Sequence, residues 1–278
     1  MIQKYLSGSL SIERIAIPIP DLVPALRGIK IVQMSDFHFD GLRLSEGLLK
    51  KAIAKSNEVN PDLVVLTGDY VTDNPQPIYR LAQQLKSLRS RAGVYAVLGN
   101  HDLFQRGARD IITDALTQSG IRVLWNDVVY PLGEEIAIVG LPDYWAKQFE
   151  PKLVMDRIPI HIPRIVLSHN PDSAEDLQPW RVDLQLSGHT HGGQIVIPGI
   201  GPIVGKMQTI HRSLPKQVTR AFPFLRPGCH KVVDRWEWSE GLHKVGNNLL
   251  YINRGLGTYM PGRLFCPPEV TVITLTQT

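Results

Sequence analysis

Cysteine is scarce in this chain: Cys229 and Cys266 are the only two among 278 residues. Two thiols cannot form a disulfide scaffold, and no CxxC pair offers zinc a thiolate site. A reducing compartment is the simplest expectation, so the location expected is cytoplasmic. No run of 18 apolar residues occurs, which excludes a membrane-spanning helix on length. The apolar stretch at residues 15–20 is interrupted by prolines and is too short for the core of a secretion signal. Internal repeats and low-complexity tracts are lacking. The Gly-Leu-Gly at residues 255–257 lacks the remaining spacing of a dinucleotide fingerprint. Charge of one sign is not abundant either. A net charge of +4 and a pI near 9.0 are a mild basic bias, compatible with anionic substrates or an anionic membrane surface.

What remains is ordinary globular composition, 43% apolar and 20% charged, in a chain long enough to bury a sizeable core. Short apolar, β-branched runs at residues 31–34, 63–67, 94–98, 121–124, 136–139, 165–167 and 183–186 read as buried strands. Leu48, Leu49, Ala52 and Ile53 repeat at helical spacing with Lys50, Lys51 and Lys55 on the other side, and Pro61 stops that helix. Residues 78–88 and 108–118 are further predicted helices, the second ended by Gly120. Strand–helix alternation implies a largely parallel sheet covered by helices. The last third differs. Residues 195–204 read as turns and edge strands, and 249–252 and 270–275 as closing strands. Residues 206–235 carry seven Lys/Arg against one Asp, interleaved with Phe222 and Phe224. That segment reads either as a solvated insertion or as a basic, apolar lip that meets a phosphate or a membrane surface.

Five short polar blocks carry the chemistry: Asp36-Phe37-His38, Gly68-Asp69, Gly99-Asn100-His101-Asp102, Ser168-His169-Asn170 and Gly188-His189-Thr190-His191. Each follows a predicted strand, and sites in open α/β sheets gather at the carboxyl ends of strands. In extended chain Asp36 and His38 would point the same way, so a carboxylate and an imidazole reach one ion. Asp69 has two oxygens and can bridge two cations. Mixed nitrogen and oxygen donors suit Mn, Fe, Zn or Ni better than Mg or Ca. Two such ions can clamp a phosphoryl group and activate a hydroxide between them. Arg254, in Asn253-Arg254-Gly255, reads either as a phosphate-binding fork or as one end of a structural salt bridge. His161, His211, His230 and His243 read as loop or surface histidines.

At these blocks the chain resembles the calcineurin-like metallophosphoesterase superfamily, whose pattern D-x-H, G-D, G-N-H-D/E, H and G-H-x-H is complete here. It is similar, over roughly residues 12–276, to the bacterial YkuE/YaeI-like phosphodiesterase subgroup. The block at residues 187–194 and the tail from Asn253 to Thr258 with Cys266-Pro267-Pro268-Glu269 carry that likeness. The length of the 206–235 segment and the lack of a spanning N-terminus depart from the subgroup. The resemblance implies a four-layer α/β/β/α sandwich of two mixed sheets, one domain over residues 1–278 with a basic insertion at 206–235. It implies one metal held by Asp36, His38, Asp69 and His191, and a second by Asp69, Asn100, His169 and His189. His101 would face the leaving group, with Asp102 orienting it, and Arg254 is the substrate-binding candidate.

The implied activity is hydrolysis of a phosphodiester or pyrophosphate by a metal-bridging hydroxide, with no covalent intermediate. A lipid-linked substrate such as UDP-2,3-diacylglucosamine is one candidate, with peripheral contact to the inner membrane through residues 206–235. The alternatives are a phosphomonoesterase or a metal-dependent nuclease of the same superfamily. The single short basic stretch argues against nucleic acid as a partner. A non-enzymatic scaffold is disfavoured because every ligand position is filled.

Overall fold

The computed structural model describes residues 7–206 and 232–277. Most of the basic segment 206–235, with His211 and His230, therefore lies outside the described residues. The chain folds as two six-stranded mixed sheets with helices on their outer faces. The first sheet has the order β1 (Ser11–Ile19), β14 (Glu269–Gln277), β2 (Lys30–Met34), β3 (Leu63–Leu66), β4 (Val94–Ala96), β5 (Ile121–Val123). Its β2 to β5 are parallel, and β14 runs antiparallel to β2. The second has the order β12 (Gly241–Val245), β13 (Asn248–Ile252), β9 (Leu184–Ser187), β8 (Arg164–Leu167), β7 (Ala137–Gly140), β6 (Asp127–Val129). There β13, β9, β8 and β7 are parallel, while both edge strands run antiparallel. A small hairpin pairs β10 (Val196–Ile197) with β11 (Gly201–Pro202).

Why the layers stack this way is written in the strand alternation. Ile31, Leu63 and Val65 join Ile138, Ile165, Leu167, Leu184 and Leu186 in the core between the sheets. Their neighbours Val32, Met34, Val64 and Leu66 face the other way, against the first sheet's helices. Both faces of each central strand are therefore apolar, which is why these runs read as continuous rather than alternating. The helices on the first sheet are α1 (Glu46–Glu58), α2 (Ile78–Leu85) and α3 (Ala108–Gln118). Ser45 caps α1 by accepting from Leu48 N at 3.2 Å. That helix ends before Asn60, whose φ of 48° precedes Pro61. Short helices α4 (Lys152–Met155) and α5 (Ser173–Asp176) bury Val154, Met155 and Ala174 on the second sheet.

The strand–helix alternation alone suggested a largely parallel sheet; the structure has two mixed ones, as the family resemblance implies. The strands the alternation passed over lie at sheet edges. β1 contains Pro18 and pairs only with β14, so a missing N–H on its free side costs nothing. β6 and β12 pair on one side only, and their residues are mostly half-exposed. Polar side chains also bond the two sheets at the strand ends. Gln33 Nε2 donates to Thr67 Oγ1 at 3.0 Å and to Ser187 O at 2.9 Å, tying β2 to the second sheet just below the polar blocks.

Candidate metal centre

All five polar blocks arrive at this junction from the carboxyl ends of β2, β3, β4, β8 and β9. The first block leaves β2 and runs beside the second. Asp36 N donates to Gly68 O at 2.9 Å, His38 N to Asp69 O at 3.0 Å, and Phe39 N to Tyr70 O at 2.9 Å. Phe37 and Tyr70, both buried, stack beneath at 5.6 Å. Asp36 and His38 do not converge through extended backbone, as the sequence pattern suggested. Their φ angles are 52° and 42°, and Asp69, His189 and His191 also sit in the left-handed region. These turns, not a strand, aim the donors inward, and such backbone is found at functional sites. Gly68 adopts φ +96°, and a Cβ there would stand 2.6 Å from Gly99 N. At Gly188 a Cβ would lie 2.2 Å from Asp36 Oδ2, so the second sheet can approach that carboxylate only through glycine.

Three groups of donors result, each with ligand atoms within 4.8 Å of one another: Asp36, His38 and His191; His38, Asp69 and His101; Asp69, His169 and His189. Asp69 links them. Its Oδ2 lies 3.4 Å from His38 Nε2 and 3.1 Å from His169 Nε2. Its Oδ1 accepts from His101 N at 3.0 Å. His191 Nε2 lies 3.4 Å from Asp36 Oδ1, whose carboxylate also accepts from His189 N.

The outward ring nitrogens are held by oxygens. His169 Nδ1 lies 2.6 Å from Thr67 O, His189 Nε2 2.7 Å from Val232 O, and His191 Nδ1 3.2 Å from Gly257 O. A carbonyl only accepts, so each outer nitrogen carries a proton and the inner one is offered to the centre. His38 Nε2 faces His191 Nε2 at 3.1 Å, and His189 Nδ1 faces His169 Nε2 at 3.2 Å. Nitrogens that close share a proton or a cation between them. Asn100 Oδ1 is buried without a hydrogen-bond partner. A neutral oxygen in that state suits a cation. The residues fit divalent metal.

The protonation pattern agrees. Burial drives His189 down to about 3 and His191 down to about 4, the latter against the pull of Asp36. His38 also lies well below the usual imidazole range because it is buried. Burial opposes charge on His169 too, but the Asp69 carboxylate overrides it and pushes His169 up to about 10. In the metal-free protein the His169 imidazolium is thus the cation beside Asp69 and His189.

Two expected roles change. Asp102 does not orient His101. Its Oδ2 accepts from Asp69 N and Gly99 N at 2.9 Å each, and its Oδ1 from Tyr70 N at 2.9 Å and Val71 N at 3.3 Å. Burial, helped by the Asp69 charge, lifts its pKa to about 8. It clamps the backbone of the two ligand loops, because four unsatisfied N–H groups converge there. His101 is oriented instead by Thr72, whose carbonyl takes its Nδ1 at 2.8 Å. The His101 ring then stands edge-on to His38 at 4.9 Å. Arg254 does not face the centre as a free phosphate fork. Its Nε lies 2.7 Å from Glu269 Oε2, one Nη 3.3 Å from Glu240, and the other against Glu13. Three carboxylates occupy the guanidinium, so it is a tie between β1, β14 and the loop after β13.

Sequence reasoning missed three side chains. Tyr259 OH sits 3.1 Å from His38 Nδ1, with its ring 5.0 Å from His38 and 5.3 Å from His191. Arg43 lies over that ring at 4.5 Å. Arg263 donates to Gly257 O and Arg254 O at 2.7 Å each and to His191 O at 3.3 Å, knitting the loop after β13. For Tyr259 and Arg263 the only signal was proximity in sequence to the Gly-Leu-Gly-Thr turn; for Arg43 it was a place five residues after His38.

The calcineurin-like phosphoesterase family model matches residues 29–193, which span all five blocks. The chain belongs to this family. Calcineurin-like phosphoesterases are metal-dependent hydrolases, and the donor groups described above are this chain's candidate ligands. Among relatives of this calcineurin-like phosphoesterase, the metallophosphoesterase YkuE of Bacillus subtilis is 34% identical over 258 residues, covering 90% of this chain and 80% of its own. Phosphodiesterase YaeI of Escherichia coli is 33% identical over 252 residues, covering 88% and 82%. UDP-2,3-diacylglucosamine pyrophosphatase LpxG of Chlamydia trachomatis is 28% identical over 317 residues, covering 95% and 88%.

Proposed function

We propose that this chain is a two-metal phosphoesterase that cleaves phosphodiester or pyrophosphate bonds. The observation that carries it is the position of the Asp69 carboxylate, between His38 at 3.4 Å and His169 at 3.1 Å. Asp36, His38, Asp69 and His191 would hold one ion; Asp69, Asn100, His169 and His189 would hold the other. Mn, Fe, Zn or Ni suit this donor set. When bound, two such ions supply Lewis acidity toward phosphoryl oxygens and lower the pKa of a water to the working range.

The chain's own residues complete the task. His101, half-exposed at the edge of the centre, has its Nδ1–H fixed on Thr72 O and so presents Nε2 toward the leaving oxygen; with a second proton on Nε2 it acts there as the acid. Asp102 keeps Asp69 in place by holding the backbone of both ligand loops. Cys266 is buried with its Sγ 3.3 Å from His191 O, unsuited to be a nucleophile. The substrate class follows the relatives: one is named a phosphodiesterase and another a pyrophosphatase of a lipid-linked nucleotide. We take a lipid-linked pyrophosphate as the substrate.

The test is metal rescue. Chelator-stripped protein is given Mn²⁺, Fe²⁺, Zn²⁺ or Ni²⁺ and assayed on bis-p-nitrophenyl phosphate, p-nitrophenyl phosphate and UDP-2,3-diacylglucosamine. Metal-dependent cleavage of the diester and the pyrophosphate in preference to the monoester is expected. Preference for the monoester would sink the reading.

A further inference from the structure

The apolar side chains that remain in solvent are not scattered. Twelve large ones are exposed among the described residues, and six of them stand on segments attached to the metal centre. Leu42 precedes Arg43, whose guanidinium covers Tyr259 at 4.5 Å. Phe104 lies three residues after His101. The ring of Trp145 meets His189 edge-on at 5.0 Å. Met260 follows Tyr259. Leu264 N donates to Gln194 O at 2.9 Å, and Phe265 precedes Cys266, whose thiol touches His191 O. Exposure reaches 74% at Leu42, 71% at Phe104, 77% at Met260 and 68% at Phe265. Phe265 also has φ 52°, so its backbone is strained while its ring buries little. Single exposed apolar residues need no explanation; six on segments that adjoin one centre do.

Charge identifies the partner. The segments bearing these tips are residues 39–45, 103–107, 144–149 and 258–268. They carry Arg43, Arg106, Lys147 and Arg263 against one acid, Asp40, which is paired with Arg43; Arg106 and Lys147 are exposed. Apolar tips with cations beside them are the chemistry of a protein that rests on an anionic bilayer, tips among the acyl chains and cations at the head groups.

We propose that the rim formed by Leu42, Phe104, Trp145, Met260, Leu264 and Phe265 docks on an anionic lipid surface, with the metal centre facing the bilayer. This deepens the reading of a lipid-linked substrate, since such a substrate would reach the centre without leaving the membrane. The surface binds lipid whether or not the chain is catalytically competent, so binding is read without catalysis. Full-length protein in chelator is sedimented with vesicles of phosphatidylglycerol and phosphatidylcholine, and with phosphatidylcholine alone. Binding at least tenfold tighter to the anionic vesicles is expected. The triple variant Leu42→Ser, Phe104→Ser, Met260→Ser should lose at least tenfold of that binding, with unchanged hydrolysis of a soluble diester. Failure to bind anionic vesicles, or a triple variant that binds as well as the parent, overturns the proposal. So does a concentration-dependent dimer that the triple variant abolishes, because the rim's occupant would then be a second copy.

Discussion

Asp102→Ala should make the protein easier to unfold, not merely slower. The carboxylate takes three backbone N–H groups at 2.9 Å and a fourth, from Val71, at 3.3 Å. Alanine leaves all four buried in a place that is otherwise sealed. A buried donor without a partner costs roughly 1–3 kcal/mol, so four would cost upwards of about 4 kcal/mol if nothing relaxed. Part of that is returned, because burial and Asp69 already disfavour a charge on Asp102 and lift it to about 8. A net loss of about 3 kcal/mol is expected, a large share of the roughly 5–15 kcal/mol that holds a typical domain together. The sign of the pH effect is fixed as well. The folded pKa lies above the unfolded one, so the folded state binds more protons between about 4 and about 8, and this group's contribution to stability falls as pH rises through that window. Asp102→Asn keeps one acceptor oxygen and carries no charge, so it should cost less and lack that slope. Urea unfolding by tryptophan fluorescence, in chelator so that metal binding does not contribute, measures both. The reasoning fails if Asp102→Ala unfolds at the parental midpoint, retains metal, and loses rate to the same degree as His101→Ala.

His101→Ala should keep its metal and lose turnover by about 10²–10⁴-fold, read by metal analysis beside diester hydrolysis. Full turnover would remove His101 from the proton-donor role. Arg254→Met should leave Glu269, which is 2% exposed, without its cation, at a cost of roughly 3–5 kcal/mol, with little change in KM for a soluble diester. A large KM effect in a stable variant would return Arg254 to substrate binding. Metal uptake at pH 7 should release close to one proton, because His169 near 10 must lose its own while His189 near 3 and His191 near 4 are already neutral. Affinity should therefore rise with pH by up to about tenfold per unit from pH 7 toward 9. Calorimetry in buffers of different ionisation enthalpy would show no difference if this is wrong. Tyr259→Phe should weaken one of two metal equivalents by about 10–100-fold and spare the other, in chelator competition.

The central strands and the polar blocks that meet at the candidate centre were legible in the sequence because both leave a local mark. A run such as Ile31 to Met34 is apolar on both faces, and the Asp, Asn and His blocks at its end repeat that arrangement five times. The edge strands left no mark. β1 carries Glu13, Arg14 and Pro18, and only its pairing with a strand more than 250 residues away makes it a strand. The same distance hid the true partners of the polar residues. Asp102 lies next to His101, which made the pairing plausible, but its bonds run to Asp69, Tyr70 and Val71 on another strand's loop. Arg254 looked available beside a glycine turn; its three carboxylates come from residues 13, 240 and 269. Tyr259 had no reason to be noticed until the fold laid it across two imidazoles.

The left-handed backbone at the ligand positions limits which residues can ever replace them. Asp36, His38, Asp69, His189 and His191 hold φ between 42° and 72°. Aspartate, asparagine and histidine are the side chains most at ease there after glycine. They are also the set that spans hard carboxylate oxygen, neutral amide oxygen and borderline imidazole nitrogen. Exchanges within that trio alter the hardness of the centre while the loops keep their shape. Glutamate and glutamine offer the same donor atoms but need a longer reach from backbone that suits them poorly. With metal held at these candidate positions, its preference would drift by single substitutions along a three-letter alphabet, without any change to the fold that presents it.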